Sequence, residues 1–147
     1  MFFMRAAVLS AVICGVPAVA PANPELTSCK MLEVLSQNQI EEVEPTINDF
    51  AARWLPQSRD GAITQLTELL KTQPFVGGSA HRIAKLGSDL EEHIVLLRLH
   101  LGEVAAMRLR YEWTPDGLSL AGMDFKRKVA DLTTLSFLSV PEEIICS

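Results

Sequence analysis

The chain has 147 residues, a formal charge of −5 from 13 Lys and Arg against 18 Asp and Glu, and a hydrophobic fraction of 48%. That length suits one domain once a leader is removed, and the acidic balance argues against a protein that grips nucleic-acid phosphates, which needs clustered basic side chains. The basic run Lys126-Arg127-Lys128 reads as a solvated strand end.

Residues 1–22 carry the parts of an export signal: Arg5 in a short n-region, an apolar run from Ala6 to Val16, Pro17 as a helix breaker, and small residues after it. The apolar run is shorter than the roughly 20 residues that span a bilayer, so a retained anchor is the weaker reading. Ala18-Val19-Ala20 is one cleavage site, but Pro21 would follow the cut bond. Ala20-Pro21-Ala22 is preferred and makes Asn23 the first mature residue. The expected organisation is a signal peptide over 1–22 and a single domain over 23–147, periplasmic or secreted, with no membrane contact after the leader is lost. Cys14 leaves with the leader, and Ile13 before it does not suit lipid attachment. Cys29 and Cys146 remain in an oxidising compartment and are expected to pair, tying the start of the fold to its end.

Apolar Leu26, Met31, Leu32, Val34 and Leu35 predict a first helix from Pro24 to Gln37, interrupted by Asn38-Gln39. Ile40, Val43, Ile47, Phe50, Ala51 and Trp54 recur at three- and four-residue steps, which predicts a second helix ending near Leu55. Pro45 either lies in its first turn or kinks it. Ser58 or Asp60 is expected to cap a third helix lined by Ile63, Leu66, Leu69 and Leu70 up to Lys71, and Pro74 and Gly77-Gly78 end helical character.

From Ser79 the apolar period changes to two, so strands follow helices and the fold class is α+β. A short strand over His81 to Leu86 comes first. His93, Val95, Leu97, Leu99 and Leu101 then face one way, Gly102 forms a hairpin tip, and Ala105, Met107, Leu109, Tyr111 and Trp113 line one face of the next strand. Thr114-Pro115-Asp116-Gly117 has turn chemistry. Leu118 and Leu120 are even-numbered while Met123 and Phe125 are odd, so one extra residue at Ala121-Gly122, a β-bulge, returns all four to one face. This register sets Asp124 opposite Arg108 and Glu92 near Glu112. For Val129 to Ser147 a short helix or irregular segment packing toward Cys29 is expected, with a fifth strand through Ser136 to Val140 as the other solution.

Three helices followed by a curved antiparallel sheet, with Arg-Leu-Arg-Tyr-x-x-x-Pro-Asp-Gly-Leu-x-Leu-x-Gly-Met-x-Phe over Arg108 to Phe125, resemble the nuclear transport factor 2-like superfamily, and in particular its small exported bacterial members of unknown function. The resemblance covers roughly Met31 to Lys126. The chain departs from it at Leu118 and Met123, where many relatives carry an aromatic. The resemblance implies helices packed on the concave side of a bent sheet, often around a pocket. The superfamily holds isomerases, dehydratases and binding proteins, so its fold does not fix a function.

His93, Met107, Tyr111 and Trp113 are the expected pocket residues, and His93 with Tyr111 could act as acid and base. The blander reading, preferred here, makes both of them core residues with satisfied polar tips. His81 and His100 do not join His93 in a metal site, and no cofactor is expected. Glu41-Glu42, Glu91-Glu92 and Glu142-Glu143 diverge by about 100° on a helix or about 180° on a strand, so spacing makes none of them a catalytic pair. The isomerase members use an aspartate base with a tyrosine donor, but Asp124 points outward here and that site is not carried over. The preferred function is a non-catalytic module for an unidentified small molecule or periplasmic protein. A pocket enzyme using His93 and Tyr111 is the alternative. Self-association through the outer sheet face, where Arg98, Arg108 and Arg110 alternate with acids, is a third reading.

Overall fold

The computed structural model describes residues 23–128 and 140–147. Asn23 caps the first helix, α1 (Pro24–Ser36), by accepting hydrogen bonds from the backbone of Glu25 and Leu26 at 3.1 and 3.2 Å, and Pro24 supplies a ready-made first turn. Asn38, in the left-handed region at φ 54°, reverses the chain and holds both backbone groups of Phe75 at 3.0 Å. It thereby fixes the α1–α2 corner to the start of the sheet.

The second helix, α2 (Ile40–Phe50), stops five residues before the expected end near Leu55 and contains Pro45 beyond its first turn. The third, α3 (Pro56–Thr72), begins before the expected Ser58 or Asp60 cap, because Pro56 occupies its first turn and the Leu55 carbonyl accepts from Ser58 and Arg59.

Five strands follow: β1 (Phe75–Leu86), β2 (Leu90–Leu99), β3 (Val104–Thr114), β4 (Gly117–Lys126) and β5 (Glu142–Ile144). They form one curved antiparallel sheet in the order β4-β3-β2-β1-β5 with the helices packed against it, an α+β fold. β1 is longer than the expected His81 to Leu86. Helical character ends before Pro74 as expected, and Gly77 and Gly78 lie inside the strand: a Cβ on Gly78 would overlap the Leu96 carbonyl and come within 2.9 Å of Leu32 Cδ1. The glycine is what lets α1 approach the strand.

The β2–β3 hairpin turns at Gly102 (φ 88°), and Leu101, expected to continue the inward row, lies in that turn, 91% exposed. The β3–β4 turn runs through Pro115-Asp116, with Gly117 at φ 108°. Arg110 faces Gly122 and Tyr111 faces Leu120, so Ala121 is the extra residue of a β-bulge and Asp124 stands opposite Arg108, as the parity argument predicts. Glu92 does not meet Glu112. It stands opposite Arg110 and is bonded by Arg108, while Glu112 faces Leu90. Residues 129–139 lie outside the described ones, and with them most of the short helix or irregular segment expected there and of its alternative, a fifth strand through Ser136 to Val140. The strand observed nearby is β5, later in the chain, pairing with Ala80–Arg82 of β1.

Leu35 and Ile47 from the helices and Val95, Leu97, Met107 and Leu109 from the sheet have no exposed surface and form the main core. A smaller cluster of Ile83, Ile94 and Ala106 lies apart from it. Cys29 and Cys146 form a disulfide, with Cα atoms 5.3 Å apart and a sequence separation of 117. No helix among the described residues is long and apolar enough to cross a membrane.

Candidate functional site

Strand alternation places Glu91 and His93 of β2 on the helix-facing side, and the register sets Tyr111 of β3 opposite Glu91. The His93 and Tyr111 rings lie 5.3 Å apart, tilted by 60°. The α1 face above them offers Ser28, whose Oγ is 2.7 Å from His93 Nδ1 and 3.2 Å from the Tyr111 hydroxyl. On the far side of the imidazole, Nε2 lies 2.8 Å from Glu91 Oε1, and Arg82 Nε donates to that same oxygen at 2.8 Å. Arg82 also pairs with Glu142 at 3.1 Å and with Glu25, so one guanidinium joins α1, β2 and β5.

Protonation follows from these contacts. Burial by itself would raise the Glu91 carboxyl, but hydrogen bonds from His93 and Arg82 outweigh it and hold the group below its ordinary value. Burial lowers His93 despite the opposing pull of Glu91, so the imidazole is neutral. Burial raises the Tyr111 phenol, which stays protonated. A carboxylate only accepts, so His93 carries its proton on Nε2 and its Nδ1 accepts from Ser28. Ser28 Oγ is then left to accept from the Tyr111 hydroxyl. The direction of every hydrogen bond from Tyr111 through Ser28 and His93 to Glu91 is thereby set.

Serine, histidine and carboxylate in that order are the parts of an activated nucleophile. Here they have no substrate access: Ser28, His93 and Tyr111 are each 0% exposed. The sequence reading brings His93 and Tyr111 together correctly. Met107 is fully buried farther along the same face of β3, opposite Val95 and Phe125, and Trp113 is 57% exposed where β3 ends, opposite Leu118. Ser28, Glu91 and Arg82 were missed. The Glu91-x-His93 spacing was a usable signal, since residues two apart on a strand share a face, whereas nothing in the sequence marks the depth of Ser28.

Among the described residues, clefts open to solvent lie elsewhere. One of about 390 Å³ is lined by Trp54, Leu55, Ser58, Ala121, Gly122 and Met123, beside the bulge of β4. Trp54 Nε1 donates to the Leu120 carbonyl at 2.7 Å, and Arg53 pairs with Asp116, which together hold the α2–α3 connection against β4. A second cleft, about 270 Å³, lies among Glu92, Arg108, Arg110, Gly122, Met123 and Asp124. Among the described residues no three His, Cys, Asp or Glu side chains gather as metal ligands. No family model matches the chain, and no curated protein or solved structure matches it either.

Proposed function

We propose that the chain is an exported, non-catalytic binding module of the nuclear transport factor 2-like type, holding a small ligand or a periplasmic protein. The observation that carries this reading is the sealed polar chain: the groups with acid-base chemistry, His93 and Tyr111, spend their polar atoms on Ser28 and Glu91 and have no solvent contact. The disulfide and the leader-like first 22 residues support the exported compartment. The cleft beside the β4 bulge, about 390 Å³, is within the size range of small-molecule sites and has the apolar Trp54, Leu55 and Met123 in its wall.

The competing reading, a pocket enzyme using His93 and Tyr111, draws on the convergence of both tips at Ser28 and requires α1 to lift from the sheet. Native mass spectrometry of protein released from the periplasm tests the two. The expected result is a retained ligand or partner that survives His93→Gln and is lost in Ala121→Trp, which fills the cleft. Bare protein, or a retained mass that depends on His93 and Tyr111, would defeat the proposal.

A further inference from the structure

Among the described residues β4 is an edge of the sheet, and its hydrogen-bonding phase can be read from one contact. Trp113 donates its backbone N–H to the Asp89 carbonyl at 2.8 Å, so the odd-numbered residues of β3 aim their backbone groups at β2 and the even-numbered ones at β4. Arg108 faces Asp124 and Ala106 faces Lys126, so those two residues of β4 turn their backbone groups inward to β3. Met123 and Phe125 turn theirs to the open edge. Leu120, opposite Tyr111, also turns outward, and its carbonyl is taken by the Trp54 indole. The edge is thus closed by Trp54 and the bulge up to Ala121, and beyond it, among the described residues, it offers a free row of donors and acceptors.

An open edge invites any extended chain unless its charges refuse most comers. Asp124 and Lys126 flank Phe125 on the opposite side of the strand from its ring; they form an ion pair at 3.3 Å, and their side chains are 55% and 40% exposed. This pattern is self-complementary. In an antiparallel pairing about Phe125, each Asp124 stands directly opposite the Lys126 of the other copy. Pairing about Asp124 would set that carboxylate against itself, and pairing about Met123 would run into the bulge at Ala121.

We propose that the free half of the β4 edge pairs with the same edge of a second copy, about a twofold axis through Phe125, with two Asp124–Lys126 contacts selecting this register over others. This goes beyond the binding reading and does not depend on it. The ladder is short and buries less than the roughly 1,200 to 2,000 Å² of a standard interface, so the dimer is weak and concentration-dependent.

Sedimentation velocity of the full, oxidised chain up to roughly 1 mM, the weak end of specific association, reads this directly. Lys126→Glu and Asp124→Lys are each expected to weaken self-association by about tenfold or more, by opposing like charges across the axis. An equimolar mixture of the two restores both contacts and is expected to return to wild-type dimerisation. Circular dichroism confirms that each variant is folded, and added salt weakens the wild-type dimer independently of any substitution. A wild-type chain that remains monomeric at all concentrations overturns the proposal, including the case in which the edge accepts a foreign peptide instead. So does a single variant that dimerises like wild type, or a mixture that fails to recover.

Discussion

His93 donates its Nε2 proton to Glu91 Oε1 across 2.8 Å, from a position two residues along the same strand. Both groups are harder to protonate in the folded chain than in the unfolded one, His93 because it is buried and Glu91 because its hydrogen bonds outweigh burial. The unfolded chain therefore binds more protons, and stability falls as pH falls. For His93 the loss begins as pH drops through its ordinary 6.5, and for Glu91 it follows below 4.5 toward the lower folded value. Urea midpoints measured from about pH 7 to about pH 4 should decline on acidification, with the first part of the decline reduced in His93→Gln. A midpoint that rises toward acid pH would contradict the neutral assignment of His93.

Ser28 is the hinge of the same chain, since its hydroxyl serves His93 and Tyr111 together. Ser28→Ala leaves the buried His93 Nδ1 without a donor, and the expected cost is about 1 to 3 kcal/mol in equilibrium unfolding. A double-mutant cycle with His93→Leu should show coupling of roughly 0.5 to 3 kcal/mol, because the residues are in contact. Additive losses would mean that the short contact carries no net stabilisation.

The Cys29–Cys146 bond closes nearly the whole of residues 23–147, across a sequence separation of 117. On the chain-entropy account such a loop is worth up to about 4 to 5 kcal/mol, through restriction of the unfolded state. Cys29→Ser with Cys146→Ser should lower the thermal midpoint without changing the sheet register. Arg82 still joins Glu25 of α1 to Glu142 of β5 in that variant, so the two ends stay together in the folded state. A midpoint equal to that of the oxidised protein would show that the crosslink adds nothing that Arg82 and the packing do not.

The helices, the hairpins, the bulge at Ala121 and the disulfide were legible because each is written locally, in apolar period, turn residues, parity or compartment. The 3.6-to-2 change of rhythm sufficed for the fold class. What was not legible depends on contacts distant in sequence. Gly77-Gly78 has the composition of a breaker, and only the approach of Leu32 from α1 makes Gly78 a strand residue. Trp113 follows the apolar alternation, but it lies where β3 ends and is 57% exposed. Glu91 diverges from Glu92 and so makes no pair by spacing, and its role emerges only when Arg82 and His93 arrive on either side of it.

Two glycines in different surroundings give opposite expectations for the same substitution. Gly61 lies in α3, exposed, with nothing within 4 Å of where a Cβ would stand. Gly61→Ala removes backbone freedom from the unfolded chain and adds helix propensity, so stability should rise by about 0.5 to 1 kcal/mol. At Gly78 the added methyl meets the Leu96 carbonyl, a backbone atom of the neighbouring strand that cannot move without breaking the β1–β2 ladder. Gly78→Ala should therefore cost about 1 to 3 kcal/mol or more, by strain and displacement of α1. Thermal unfolding of the two variants under identical conditions compares them. If Gly78→Ala were neutral, α1 could not pack against β1 as closely as the Leu32 contact requires.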